Sequence, residues 1–121
     1  MPKIDLQYSH GALPAASIGP LTDELANLLL RHRGLEVNAV NRAKVWSFAQ
    51  EQPAYVAGAA PALPLVVATI GLIEGGLDDA AAAALIADGT TRIKAIAPEA
   101  RVWLVVDEIP RGRWGVEGRA F

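Results

Sequence analysis

The chain has 121 residues, 52% of them hydrophobic and 20% charged, a composition that supports a real core and excludes intrinsic disorder. With 11 Lys and Arg against 13 Asp and Glu the net charge is -2, so no field draws the chain onto nucleic acid or an acidic membrane. The absence of cysteine excludes disulfides and thiolate chemistry, and His10 and His32 alone are too few for a histidine-rich metal site.

Met1-Pro2-Lys3-Ile4-Asp5 has no apolar leader, and the most apolar stretch, Leu63 to Leu72, is too short to cross a bilayer; a soluble, cytoplasmic protein is expected. Ile4, Leu6 and Tyr8 alternate with Lys3, Asp5 and Gln7, the period of a strand with one buried face, over residues 3 to 8. Leu21, Leu25, Leu28 and Leu29 then recur at helical spacing, with Pro20 suited to the first helical position and Gly34 to the stop. A second extended run follows at Val45 to Ala49. Residues 54 to 64, rich in Ala, Gly and Pro, form a linker.

The second half repeats the order: a strand at Leu65 to Leu72, a turn at Glu74-Gly75-Gly76, a helix from about Asp78 to Ile96, and a strand at Val102 to Val106. Val45 to Pro53 aligns with Val102 to Pro110 without a gap at an offset of 57, with the Val-Trp pair and the Glu-x-Pro end in common. This predicts an α/β protein, residues 1–121 as a single domain of two β-α-β repeats, about 2–58 and 65–121. The crossover rule makes the strands of each repeat parallel, giving a four-stranded sheet with two helices on one face. The other face then needs cover, which points to an oligomer. Trp46 and Trp103, at equivalent strand positions, are expected in the core or an interface.

Pro2 is the first candidate for chemistry. Removal of Met1 would leave a secondary amine at the head of a strand; a free α-amino group titrates near ~8, and an apolar pocket lowers that by desolvating the ammonium form. Among the cations, Arg111, Arg113 and Arg119 cluster on the tail and Arg33 lies beside His32; Arg113 and Arg119 are preferred for bidentate contact with a carboxylate. His32 at a helix end also suits the C-terminal dipole, with no substrate needed. Asp78-Asp79 reads as helix N-terminal charge placement, and no P-loop or Rossmann spacing occurs.

Pro2 before a short alternating strand, the two β-α-β units, and the tail from Val102 through Glu108-Ile109-Pro110-Arg111-Gly112-Arg113-Trp114-Gly115-Val116-Glu117-Gly118 together resemble the tautomerase superfamily. The tail looks like the strand and hairpin that close a 4-oxalocrotonate tautomerase subunit. His32-Arg33-Gly34-Leu35 and Gln50-Glu51-Gln52-Pro53-Ala54 are most similar to the fused two-repeat branch of cis-3-chloroacrylic acid dehalogenase. The resemblance implies a tautomerase/MIF-like trimer that needs neither metal nor organic cofactor. It makes Pro2 the catalytic proline, His32 an active-site histidine and Trp114 a pocket aromatic, and Glu117 lies within one residue of a water-activating glutamate. Two positions depart from the pattern: Gly76 and Trp103 stand where related enzymes carry arginines.

The implied activity is keto-enol tautomerisation of a small carboxylate-bearing substrate, with Pro2 as base and acid. Two alternatives remain: hydratase or dehalogenase-like chemistry on an unsaturated acid through His32 and Glu117, and a non-catalytic, ligand-binding trimer. A ferredoxin-like regulatory module could be built from the same tandem units.

Overall fold

The alternation at the start of the chain forms strand β1, Lys3–Tyr8, with Ile4 and Leu6 buried and Lys3 and Gln7 exposed, in a computed structural model that describes residues 2–121. Helix α1, Ile18–His32, follows one 3-10 turn at Ala15–Ser17 and begins two residues before Pro20. Proline is tolerated there because the N–H groups of the first turn have no intrahelical acceptor. The end of α1 is a Schellman motif: Gly34, at φ 71°, donates to the Arg31 carbonyl at 2.9 Å, and Leu35 donates to the Leu30 carbonyl at 2.9 Å.

A short helix that hydrophobic periodicity does not reveal, α2 at Ala39–Arg42, is capped by Asn38, whose side chain accepts from the Asn41 N–H at 2.8 Å. Strand β2 is Trp46–Glu51 and β3 is Leu65–Ile73. Helix α3, Asp79–Ile96, follows the N-cap Asp78, whose carboxylate accepts from the Ala81 N–H at 2.7 Å, and Asp79 sits in the first turn, the N-terminal charge placement expected of the pair. Strand β4, Arg101–Ile109, runs three residues past its expected end, and the tail closes as a hairpin of β5, Gly115–Val116, and β6, Arg119–Ala120.

The sheet order is β2-β1-β3-β4, with β1 parallel to β2, β3 parallel to β4, and β1 antiparallel to β3. Its register is two-fold symmetric. Trp46 pairs with Lys3 and Trp103 with Val67, while the central ladder pairs Lys3 with Gly71 and Gln7 with Val67 about the Asp5–Thr69 pair. The two β-α-β units are thus related by a pseudo-dyad between Asp5 and Thr69.

Both long helices cover one face, where Ile4, Leu6, Ile70 and Leu72 meet Leu21, Leu25, Leu29, Leu85 and Ile93 in one core. The low bulk of α3 permits a close approach: a β-carbon at Gly89 would lie 2.4 Å from Leu104 Cδ1. Among the described residues no helix covers the opposite face. There Trp46 is 67%, Phe48 54%, Trp103 73% and Val105 42% exposed. The tryptophans lie outside the core of the single chain, which leaves the interface reading. Among the described residues no helix is long and apolar enough to cross a membrane.

Candidate active site

Pro2 is buried at the head of β1, and its carbonyl accepts from the Trp46 N–H at 3.3 Å. By alternation it shares the helix-covered face with Ile4 and Leu6, and one step beyond the Lys3–Gly71 pair it reaches the level of Leu72. A central strand thus ends in a buried imino acid beside a buried leucine. Removal of Met1 concerns a residue outside those described.

Arg33 stands on the same side of the sheet end. As the residue between α1 and Gly34 it is fixed by the Schellman turn, and its side chain lies over Gly76. A β-carbon at Gly76 would come 2.7 Å from Leu72 Cδ1, 3.1 Å from Arg33 Nε and 3.4 Å from Arg33 Cζ. Arg33 Nε is shielded from solvent and has no hydrogen-bond partner among the described residues. An unsatisfied buried donor of this kind costs roughly 1–3 kcal/mol, more when it is charged. Sequence reasoning passed over Arg33 in favour of Arg113 and Arg119. The available signal was the double glycine: Gly75, at φ 84°, satisfies the turn, whereas Gly76 has no left-handed φ and is small for another reason, the close approach of Leu72 and Arg33.

Trp114 lies on the other face. Its Cζ3 is 3.8 Å from where a β-carbon of Gly71 would be, and Gly71 is the cross-strand partner of Lys3, next to Pro2. The tail that carries Trp114 is tied down by Glu74, whose carboxylate accepts from the Arg111 N–H at 3.1 Å, and by the Phe121 N–H donating to the Trp114 carbonyl at 2.8 Å. Trp114 and Pro2 therefore flank the same end of the β1–β3 ladder from opposite faces.

The other expected residues are more dispersed. His32 Nε2 is 2.8 Å from Asp88 Oδ2, a link between α1 and α3 across the helix layer. Glu117, at φ 49°, forms with Gly118, at φ 80°, the two-residue turn of the β5–β6 hairpin, and its side chain is exposed. Arg113 and Arg119 are also exposed on this hairpin, and neither forms an ion pair among the described residues. No hydrogen bond joins His32 to Glu117 among the described residues. Of the six expected site residues, the single chain brings Pro2 and Trp114 to one end of the sheet, with Arg33 added.

The larger depressions lie elsewhere. One of about 410 Å³ on the uncovered face includes Asp5, Gln7, Phe48 and Gln50, and another of about 430 Å³ includes His10, Pro53 and Tyr55. Neither includes Pro2.

No family model matches the chain, and neither does any curated protein. Solved structures do. N1, a member of the cis-3-chloroacrylic acid dehalogenase family, superposes with a TM-score of 0.77 at 17% identity, covering 98% of this chain and 82% of that one. The symmetric trimer of the fused 4-OT protein Q0 matches with a TM-score of 0.74 at 25% identity over 98% and 94% of the two chains. A macrophage migration inhibitory factor-like protein from Entamoeba histolytica matches with a TM-score of 0.77 at 14% identity over 99% and 98%.

Proposed function

From a chain with the fold of the tautomerase superfamily we propose an enzyme that interconverts the keto and enol forms of a small carboxylic acid, with the amine of Pro2 as proton carrier once Met1 is removed. The observation that supports this reading best is the burial of Pro2 at the open end of a central strand. In an apolar setting the neutral amine is favoured over the ammonium ion, which makes it a base near neutral pH. The amine takes the enol hydroxyl proton, the enolate charge passes to carbon, and the ammonium returns the proton there. The reaction is balanced without any co-reactant. A cation or hydrogen-bond donor near the oxygen stabilises the developing charge.

The working form is proposed to be a homotrimer in which the uncovered faces meet. Two helices cover one side of the sheet only, and the other side leaves large apolar side chains exposed on both edge strands, Trp46 and Phe48 on β2 and Trp103 and Val105 on β4, flanking the polar Lys3, Asp5 and Gln7 of β1. The trimeric state of the fused 4-OT protein Q0 supports the same assembly.

The test is the decay of an aryl enol pyruvate absorbance with the native protein and with Pro2→Ala, alongside intact-mass measurement. Acceleration by the native protein alone, with a mass lower by one methionine, is the expected result. Equal rates at the buffer level from a protein lacking Met1 would remove the tautomerase reading.

A further inference from the structure

We propose that Arg33 is the substrate-carboxylate receptor of the site, reaching in from the end of α1 through the space that Gly76 leaves open. The inference rests on the reading of Pro2 as the reactive amine, since it assigns the acid group of that same substrate. Three independent observations carry it.

The first is the unspent donor. Arg33 Nε is buried without a partner, and Arg33 makes no ion pair among the described residues, whereas Arg42 and Arg92 pair with Asp23 and Glu24. A guanidinium is always charged and presents Nε–H and a terminal N–H side by side in a fork that fits a carboxylate. A carboxylate held by this fork would supply the acceptor that the described residues do not.

The second is the cradle. Any side chain at Gly76 would meet Leu72 Cδ1 at 2.7 Å and Arg33 Nε at 3.1 Å, so the glycine is what allows the guanidinium to lie where it does. Glu74 and Asp78, each two residues from Gly76, do not take the charge; they accept from the Arg111 and Ala81 N–H groups respectively. The third is the location. Leu72, which Arg33 packs beside, is level with Pro2 across the β1–β3 ladder and on the same face. Arg33 and Pro2 thus lie at the same end of the sheet, on its helix-covered side. Arg113 and Arg119, the tail arginines, are exposed and have no comparable seat.

The proposal predicts that monocarboxylates bind the free protein and that binding depends on the fork rather than on charge alone. The experiment titrates the native protein, Pro2→Ala, Arg33→Lys, Arg33→Gln and Gly76→Ala with 3-phenylpropanoate, a carboxylate that cannot enolise, following binding by NMR shifts and fold by circular dichroism. Ketonisation kinetics are measured in parallel. Pro2→Ala should bind as the native protein does. Arg33→Gln should weaken binding at least tenfold and raise KM by a similar factor with a smaller change in kcat. Gly76→Ala, with Arg33 intact but displaced, should move in the same direction, and Arg33→Lys should fall between. Native-like binding in folded Arg33→Gln, or no binding by the native protein, overturns the proposal. Because the binding arm does not use the amine, a failure of the Pro2 reading would appear separately, as absent ketonisation with Arg33-dependent binding retained.

Discussion

Trp46 and Trp103 occupy equivalent places on the two edge strands, each in register with a residue two positions from the Asp5–Thr69 pair, and each more than half exposed on the same face of the sheet. The sequence repeat at an offset of 57 is therefore a spatial symmetry, and its consequence is an exposed tryptophan on each edge strand of one sheet face. Replacing both residues by glutamate should dissociate the assembly. Sedimentation should show the native protein as a trimer and the double variant as a monomer; a variant that sediments as a trimer would locate the interface on another face.

His32 and Asp88 join the two helices at 2.8 Å, with the Asp88 side chain about half exposed. With the His32 side chain 19% exposed and the Asp88 side chain open to solvent screening, the pair contributes on the order of 1 kcal/mol. His32→Gln should lower the melting temperature slightly, and, because keto-enol exchange at Pro2 needs no second base, ketonisation should stay within about threefold of the native rate. A much larger loss of rate at unchanged stability would assign His32 to the chemistry.

Glu51, at the end of β2, accepts from His10 and from the Gly11 N–H, and the His10 hydrogen bond, followed by that of Gly11, holds its carboxyl below the usual carboxylate range. A carboxylate depressed in the folded state binds fewer protons than in the unfolded chain, so its contribution is present above its unfolded pKa and is lost as pH falls through the lower folded value. Glu51→Gln should therefore flatten the acid limb of the stability profile while leaving the slope above neutral pH unchanged. An acid limb equally steep in the variant would show that other carboxylates govern it. Measurement of unfolding midpoints in urea from pH 3 to 7 decides this.

Gly89 lies in the middle of α3, where helix propensity alone would favour alanine over glycine by ~1 kcal/mol. The packing argues the other way for anything larger, since a β-carbon there already approaches Leu104 Cδ1 at 2.4 Å and Leu25 Cδ2 at 3.4 Å. Gly89→Val should destabilise the fold by about 1–3 kcal/mol through overpacking. Chemical denaturation that finds the variant as stable as the native chain would mean that α3 can lift from the sheet at little cost.

Asp78→Ala removes the side chain that accepts from the Ala81 N–H at the start of α3, and should cost about 1 kcal/mol. The same change at Asp79, which accepts no such bond, should have a smaller effect. Urea midpoints of the two variants separate a cap from a general charge effect at the helix terminus.

The sequence by itself determined the layers and their order. Period-2 alternation placed β1 to the residue, and the Leu21 to Leu29 spacing with Gly34 placed α1 and its end, because local periodicity and turn chemistry act over a few residues. The repeat, together with the handedness of crossovers, gave the parallel pairs and the one-sided helix layer. Pro2 and Trp114 were named as candidate site residues through the resemblance of the tail and the amino terminus to a known family, and the structure puts both at one end of the β1–β3 ladder. Only the tertiary structure decided the antiparallel meeting of β1 and β3, and with it the pseudo-dyad, since nothing local specifies how two repeats abut. It likewise decided that Arg33 lies over Gly76. These residues are 43 positions apart, and the reason one is small and the other unpartnered is a contact made where a helix end meets a turn, which no local pattern encodes.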